Sequence, residues 1–279
     1  MNNTITADSI RQYSEYMSER ERSGATIQKY VHELELLKEY LCGRAVTKNE
    51  LIDYRIHASA VYKAETVNGK INAINSFLKF NGMNDCVLRL LRIQKKPFLD
   101  EDRELTETEY KRLLKAARAH DNRRLYYLMM TLSGTGIRIS ELKYITVEAV
   151  KAGQAEVSMK GKERVILIPA ELRKRLSSYM KEEEITSGYV FCTRSGKPLN
   201  RSNICHDMKK LCSDAEVNPR KVFPHNFRHL FARQFYAIEK NLAHLADILG
   251  HSSVETTRIY LKSSAREYDR TLSRMKLII

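Results

Sequence analysis

The chain has 279 residues, 43% hydrophobic and 29% charged, which excludes a disordered or fibrous chain and leaves room for two domains. No run approaches the ~18 apolar residues of a membrane span and no apolar signal core opens the chain, so no membrane association is expected and the cytoplasm is the default compartment. The net charge of +14 makes a polyanion such as nucleic acid the natural partner, and it is uneven: residues 1–95 hold 14 basic and 11 acidic side chains, the remainder 34 and 23.

Residues 1–95 read as helices. Asp8-Ser9 caps a first helix with Ile10, Tyr13 and Met17 inward, and Thr26 starts a second with a stripe from Ile27 through Leu34 and Leu37 to Leu41. Thr47 and Glu50 form a capping box ahead of Leu51, Tyr54 and Ala58. A fourth helix runs from about Thr66 to Phe80 and stops at Asn81-Gly82. Residues 96–103, charged and without period, are the expected linker, and 104–279 the second domain.

Leu105-Thr106-Glu107-Thr108-Glu109 restarts helix, and an apolar helix through Tyr126 and Leu132 ends at Ser133-Gly134-Thr135-Gly136, directly before Arg138. The period then changes. Ala155–Met159 and Arg164–Ile168 read as strands of a small antiparallel sheet with a turn bearing Lys160 and Lys162. Helices return at Ala170, after Asn200, at Pro224 and at Asn241, the last closed by Gly250. The expected class is therefore mainly α with a small antiparallel β-sheet. Five scattered cysteines, Cys42, Cys86, Cys192, Cys205 and Cys212, form no CxxC pair, which argues against a disulfide framework and a zinc site.

His225 and Arg228 share a helix face, and His251 precedes Tyr260 by nine residues, with Val254 and Ile259 expected to hold the intervening segment against a core. Each piece alone is weak. His225 and Arg228 would serve equally as a surface pair, and Arg138 has an ion-pair partner three residues on in Glu141. His225 and His229 make HxxxH, but without the glutamate of HExxH or a nearby acidic third ligand a metallohydrolase is disfavoured.

Taken in order, Thr135-Gly136-Ile137-Arg138-Ile139-Ser140-Glu141-Leu142, the Lys160 turn, His225-Asn226-Phe227-Arg228-His229, Leu249-Gly250-His251 and Thr257-Arg258-Ile259-Tyr260 resemble the tyrosine recombinases of the lambda-integrase family, most closely its Xer-like members. The resemblance covers about Glu104 to Tyr260; more loosely, the N-terminal helices look like that family's helical core-binding, SAM-like domain. It implies a site-specific recombinase acting on double-stranded DNA as a homo-tetramer on two sites, with neither cofactor nor metal. By the same resemblance, Tyr260 is the nucleophile that forms a 3′-phosphotyrosyl link and His225 its candidate base. Arg138 and Arg228 grip the scissile phosphate, His251 hydrogen-bonds it, Lys160 protonates the leaving 5′-oxygen, and Glu141 supports the site through Arg138.

The turn Met159-Lys160-Gly161-Lys162-Glu163 is one residue shorter than the commonest family form, which leaves Lys162 as an alternative acid. Phe227 stands where leucine is more usual. Tyr268 is an alternative nucleophile without the histidine spacing. A noncatalytic DNA-binding protein on the same fold, or a relaxing type IB topoisomerase, would share most of these features. Leu272, Met275, Leu277, Ile278 and Ile279 give the tail an apolar end, which by family analogy docks on a neighbouring protomer rather than on its own domain.

Overall fold

Polar caps set most of the helix starts. The computed structural model describes residues 4–93, 101–159, 162–261, 269 and 272–275. Lys160, Tyr268, residues 96–100 of the expected linker and the last four tail residues lie outside that description. The chain divides into two compact units, Met1–Lys95 and Lys96–Ile279. Among the described residues, no helix is long and apolar enough to cross a membrane.

The first unit contains α1 (Ala7–Glu19), α2 (Gly24–Leu41), α3 (Lys48–Val61) and α4 (Ala64–Phe80). The α1 cap is Thr6 rather than Asp8-Ser9. Thr6 Oγ1 accepts from the Ser9 N–H and Ser9 Oγ accepts from the Thr6 N–H, so Asp8 falls in the first turn, where its charge complements the helix dipole. Ser23 caps α2, which therefore starts at Gly24, two residues before the expected Thr26. Thr47 caps α3 as expected, while the Glu50 carboxylate meets Arg44 at 2.6 Å. Tyr13, Leu34, Leu37, Leu51, Ile71 and Leu78 lie in one buried core. A Lys70–Glu33 ion pair, 2.6 Å long, crosses from α4 to α2 within this unit.

After α4 comes a 3₁₀ turn at Asn84–Cys86, and beyond it side chains of α4 meet the backbone groups of a segment without regular structure. Asn75 donates to the Leu88 carbonyl and accepts from its N–H, both at 2.8 Å. Asn68, seven residues earlier on the same helix, does the same for Leu91 at 2.9 and 2.8 Å.

The second unit opens with a 3₁₀ turn, Glu101–Arg103, inside the stretch read as linker. Then come α5 (Glu107–Ala119), α6 (Arg123–Thr135), a 3₁₀ helix at Ile139–Tyr144 and α7 (Val147–Ala152). Thr106 and Glu109 form a reciprocal capping box at α5. Strands β1 (Gln154–Met159) and β2 (Lys162–Leu167) pair antiparallel with Ala155 opposite Ile166 and Met159 opposite Lys162. Both inward residues of the first pair are buried, as alternation requires. The order ends with α8 (Ala170–Glu182), α9 (Arg201–Lys210), α10 (Pro224–Glu239), α11 (Leu242–Leu249), α12 (Val254–Arg258) and a 3₁₀ turn at Ile259–Leu261. The fold is mainly α with a two-stranded antiparallel sheet.

α6 packs on α10 and carries Leu128, Met129 and Leu132 into the main core of this unit. A smaller cluster of Ala232, Leu245, Leu249 and Tyr260 lies beneath α11. Val254 and Ile259 do not join it. They are 46% and 55% exposed, because the segment is held instead through Thr257 and Tyr260, both buried.

Candidate active site

α6 ends at Gly136, whose φ of +63° is left-handed and whose Cα faces the Phe231 ring closely enough that a Cβ would collide with it. This tight exit delivers Arg138 at the start of the 3₁₀ helix. Its Nη1 meets Glu141 Oε1 at 3.0 Å, and its N–H donates to Glu141 Oε2 at 2.7 Å. Pro224 in the first turn of α10 starts the helix that presents His225, Arg228 and His229.

Arg228 is fully buried. Its Nη1 donates to the Gly136 carbonyl at 2.6 Å, and its Nη2 to the Leu249 carbonyl at 2.7 Å and to His251 Nε2 at 2.8 Å. A guanidinium only donates, so His251 Nε2 accepts, and in the neutral ring the Nδ1–H donates to Thr257 Oγ1 at 2.8 Å. Gly250, at φ +63°, closes α11 and turns the chain so that His251 points back toward Arg228.

Tyr260 is 6% exposed and sits inside this group. His251 stacks on its ring at 5.5 Å with an interplanar angle of 7°, and His229 meets it edge-on at 4.5 Å. The His225 ring lies 5.8 Å from it, centroid to centroid. The phenol also lies close enough to Arg228 to favour its charged form.

Electrostatics follow from crowding cations around partly buried rings. Loss of solvent, then His229, Arg228 and Arg138, lower the His225 pKa to about 4. Loss of solvent, then Arg228 and Arg138, lower His251 to about 4 as well. Both rings are therefore neutral in the free protein near pH 7. Burial would raise Glu141, but the Arg138 N–H and the charges of Arg164 and Arg138 outweigh it and hold the carboxyl below its ordinary range. Burial, then Arg138, push the Arg228 pKa down, while Tyr260 opposes the change.

Of the residues singled out in the sequence, Arg138, Glu141, His225, Arg228, His251 and Tyr260 converge here. Lys160 falls outside the described residues, as does the side chain of its alternative Lys162. Three participants carry no role in the sequence reading. Thr257 holds His251 from three positions before the tyrosine. Glu104 accepts from His229 at 3.2 Å if Nδ1 is the protonated nitrogen. Arg164, on β2, meets Glu141 at 2.5 Å. Among the described residues, no group of three His, Cys, Asp or Glu side chains is placed to hold a metal ion.

Residues 103–267 match the phage integrase family, and residues 10–81 match the N-terminal SAM-like domain of phage integrases. The chain therefore belongs to the phage integrase family. It is an Xer-like tyrosine recombinase, a class of enzyme that breaks and rejoins DNA in site-specific recombination. It is 25% identical to the tyrosine recombinase XerA of Pyrococcus furiosus, over 99% of this chain and 96% of that one. Two solved structures share the fold. The XerH site-specific recombinase bound to its difH substrate, in a pre-cleavage complex, aligns with TM-score 0.71 at 18% identity, covering 96% of this chain and 84% of that one. A lambda integrase tetramer bound to a Holliday junction aligns with TM-score 0.74 at 16% identity, covering 93% and 78%.

Proposed function

We propose that this recombinase cleaves duplex DNA through Tyr260, with Arg138 and Arg228 as phosphate ligands and His225 as base. The observation that carries this reading is a buried tyrosine set among three histidine rings and beside Arg228, with Arg138 reaching the Gly250 carbonyl of the same unit. The two guanidinium groups would take the nonbridging oxygens and stabilise charge on the pentavalent transition state, a task that requires no metal. Tyr260 Oη forms the bond to phosphorus as the bond to the 5′-oxygen breaks. The phenolic proton passes to neutral His225, and the 5′-oxygen takes a proton from Lys160, with Lys162 as its alternative. The 3′-phosphotyrosyl link conserves the phosphodiester bond energy, so a second 5′-hydroxyl reverses the step without ATP.

His251 has an adjustable role. Once a phosphate competes for Arg228, the Thr257 hydroxyl can turn to donate to Nδ1, which leaves Nε2–H to donate to a phosphate oxygen.

Residues 1–95 and 104–279, joined by 96–103, would close on DNA as a two-domain clamp in the cytoplasm. Four protomers would act on two sites, by analogy with the integrase tetramer on its junction. The apolar tail, in which Leu272 and Met275 are exposed, would link neighbours.

The test is trapping on a duplex nicked near the cleavage position, drawn from a host-fragment library. A protein–DNA adduct that is lost in Tyr260→Phe supports the reading. An adduct that persists moves the nucleophile, with Tyr268 next. Verified binding without any adduct favours a DNA-binding protein that does not cut.

A further inference from the structure

Three arginines gather on three consecutive carbonyls at the end of α11. Arg164 Nη1 donates to Ile248 at 2.7 Å, Arg228 Nη2 to Leu249 at 2.7 Å, and Arg138 Nη2 reaches Gly250 at 3.4 Å. The C-terminal end of a helix carries partial negative charge, so it suits this collection of cations. The three are not equivalent. Arg228 is fully buried and the Arg164 side chain is 12% exposed, whereas Arg138 is 41% exposed.

Arg164 has its charged end committed inside the protein. One arm holds Ile248, the other meets Glu141 Oε2 at 2.5 Å, and its Nε is buried without a hydrogen-bond partner. Its Cδ lies so close to Gly250 that a Cβ there would overlap it. Glu141, in turn, is 3% exposed and divides its oxygens between Arg164 and Arg138. A carboxylate left with a single arginine tends to close on it bidentately, using the donor edge that a phosphate would need.

We propose that Arg164 is a positioning residue for cleavage: by holding Glu141 and the Ile248 carbonyl, it keeps Arg138 open toward the scissile phosphate. The proposal rests on the functional reading given above. Arg164 joins β2, the 3₁₀ helix after Gly136 and the turn before His251 through one guanidinium. A lysine would keep the charge but lacks the fork to hold both partners.

The test measures single-turnover cleavage of a nicked duplex by wild type, Arg164→Ala, Arg164→Lys and Arg138→Ala. Each is assayed on an ordinary scissile phosphate and on a neutral methylphosphonate at the same position. Displacing a positioned group by about 1 Å costs on the order of 100-fold, so Arg164→Ala should slow cleavage of the ordinary phosphate by about that factor with DNA affinity unchanged. A neutral phosphorus needs one cation fewer, so the slowing should shrink to about tenfold or less on the methylphosphonate, in parallel with Arg138→Ala. Arg164→Lys should show the same substrate-dependent ratio, which keeps the test valid if Arg164→Ala does not fold. Equal slowing on both substrates would assign Arg164 to general stability, and no slowing would remove it from the reaction; either overturns the proposal. A wild type that binds its site yet cleaves neither substrate would instead overturn the functional reading, and this proposal with it.

Discussion

His251 gives its two ring nitrogens to different partners, and that division decides which of them can meet a phosphate. Thr257→Val keeps the shape and removes the hydroxyl that sets the tautomer. Cleavage should then slow about tenfold, the rate equivalent of one hydrogen bond of ~1.4 kcal/mol, with DNA binding unchanged in a mobility-shift assay. The two depressed histidines also predict a pH dependence. Their pKa values fall from 6.5 to about 4 on folding, so between those limits the unfolded chain binds more protons and stability drops as pH drops. Glu104, Glu109 and Glu141 are shifted below the ordinary 4.5, so their contribution is present above that pH and is lost only as pH falls through their lower folded values. Tm of the DNA-free protein should therefore decline from pH 6.5 to 4.5, and a His225→Gln, His251→Gln double variant should flatten that window. An unchanged decline in the variant would place the effect elsewhere.

At the scale of elements, the turn from α11 into His251 is the tightest junction of the site. Gly250→Ala combines a left-handed φ with a collision against Arg164, and about 2 kcal/mol of stability should be lost in denaturant unfolding. A variant as stable as wild type would show that this turn relaxes freely. Legibility in the sequence also divides at this scale. Thr106, Asn241 and Gly250 were readable because a cap or stop signal acts within a few residues. The six converging site residues were readable only as a set, through the resemblance. Glu104 and Arg164 were not, since their partners His229 and Glu141 stand 125 and 23 residues away and a lone charge carries no local signature. Val254 and Ile259 misled because two apolar residues, one opening a short helix and one just past its end, imply a buried face only if a neighbour covers it, and none of the described residues buries these two.

For the molecule as a whole, the excess of positive charge after residue 95 suits an extended polyanion. If it forms about 6–10 phosphate contacts, log affinity for duplex DNA should fall against log salt with a slope of about −5 to −9 in fluorescence anisotropy. A flat dependence would contradict a phosphate-tracking interface. Removing residues 273–279 should abolish complete recombination while leaving binding by single protomers intact, as gel shift and recombination assays on the same preparation would show. Undiminished recombination would rule out the tail as the link between protomers.

The central claim is that Tyr260 itself becomes joined to DNA, and peptide mapping of the trapped adduct tests it most directly. After nuclease and protease digestion, mass spectrometry should find the nucleotide remnant on the peptide containing Tyr260, attached at the phenol. A remnant on any other residue, Tyr268 included, would contradict the account.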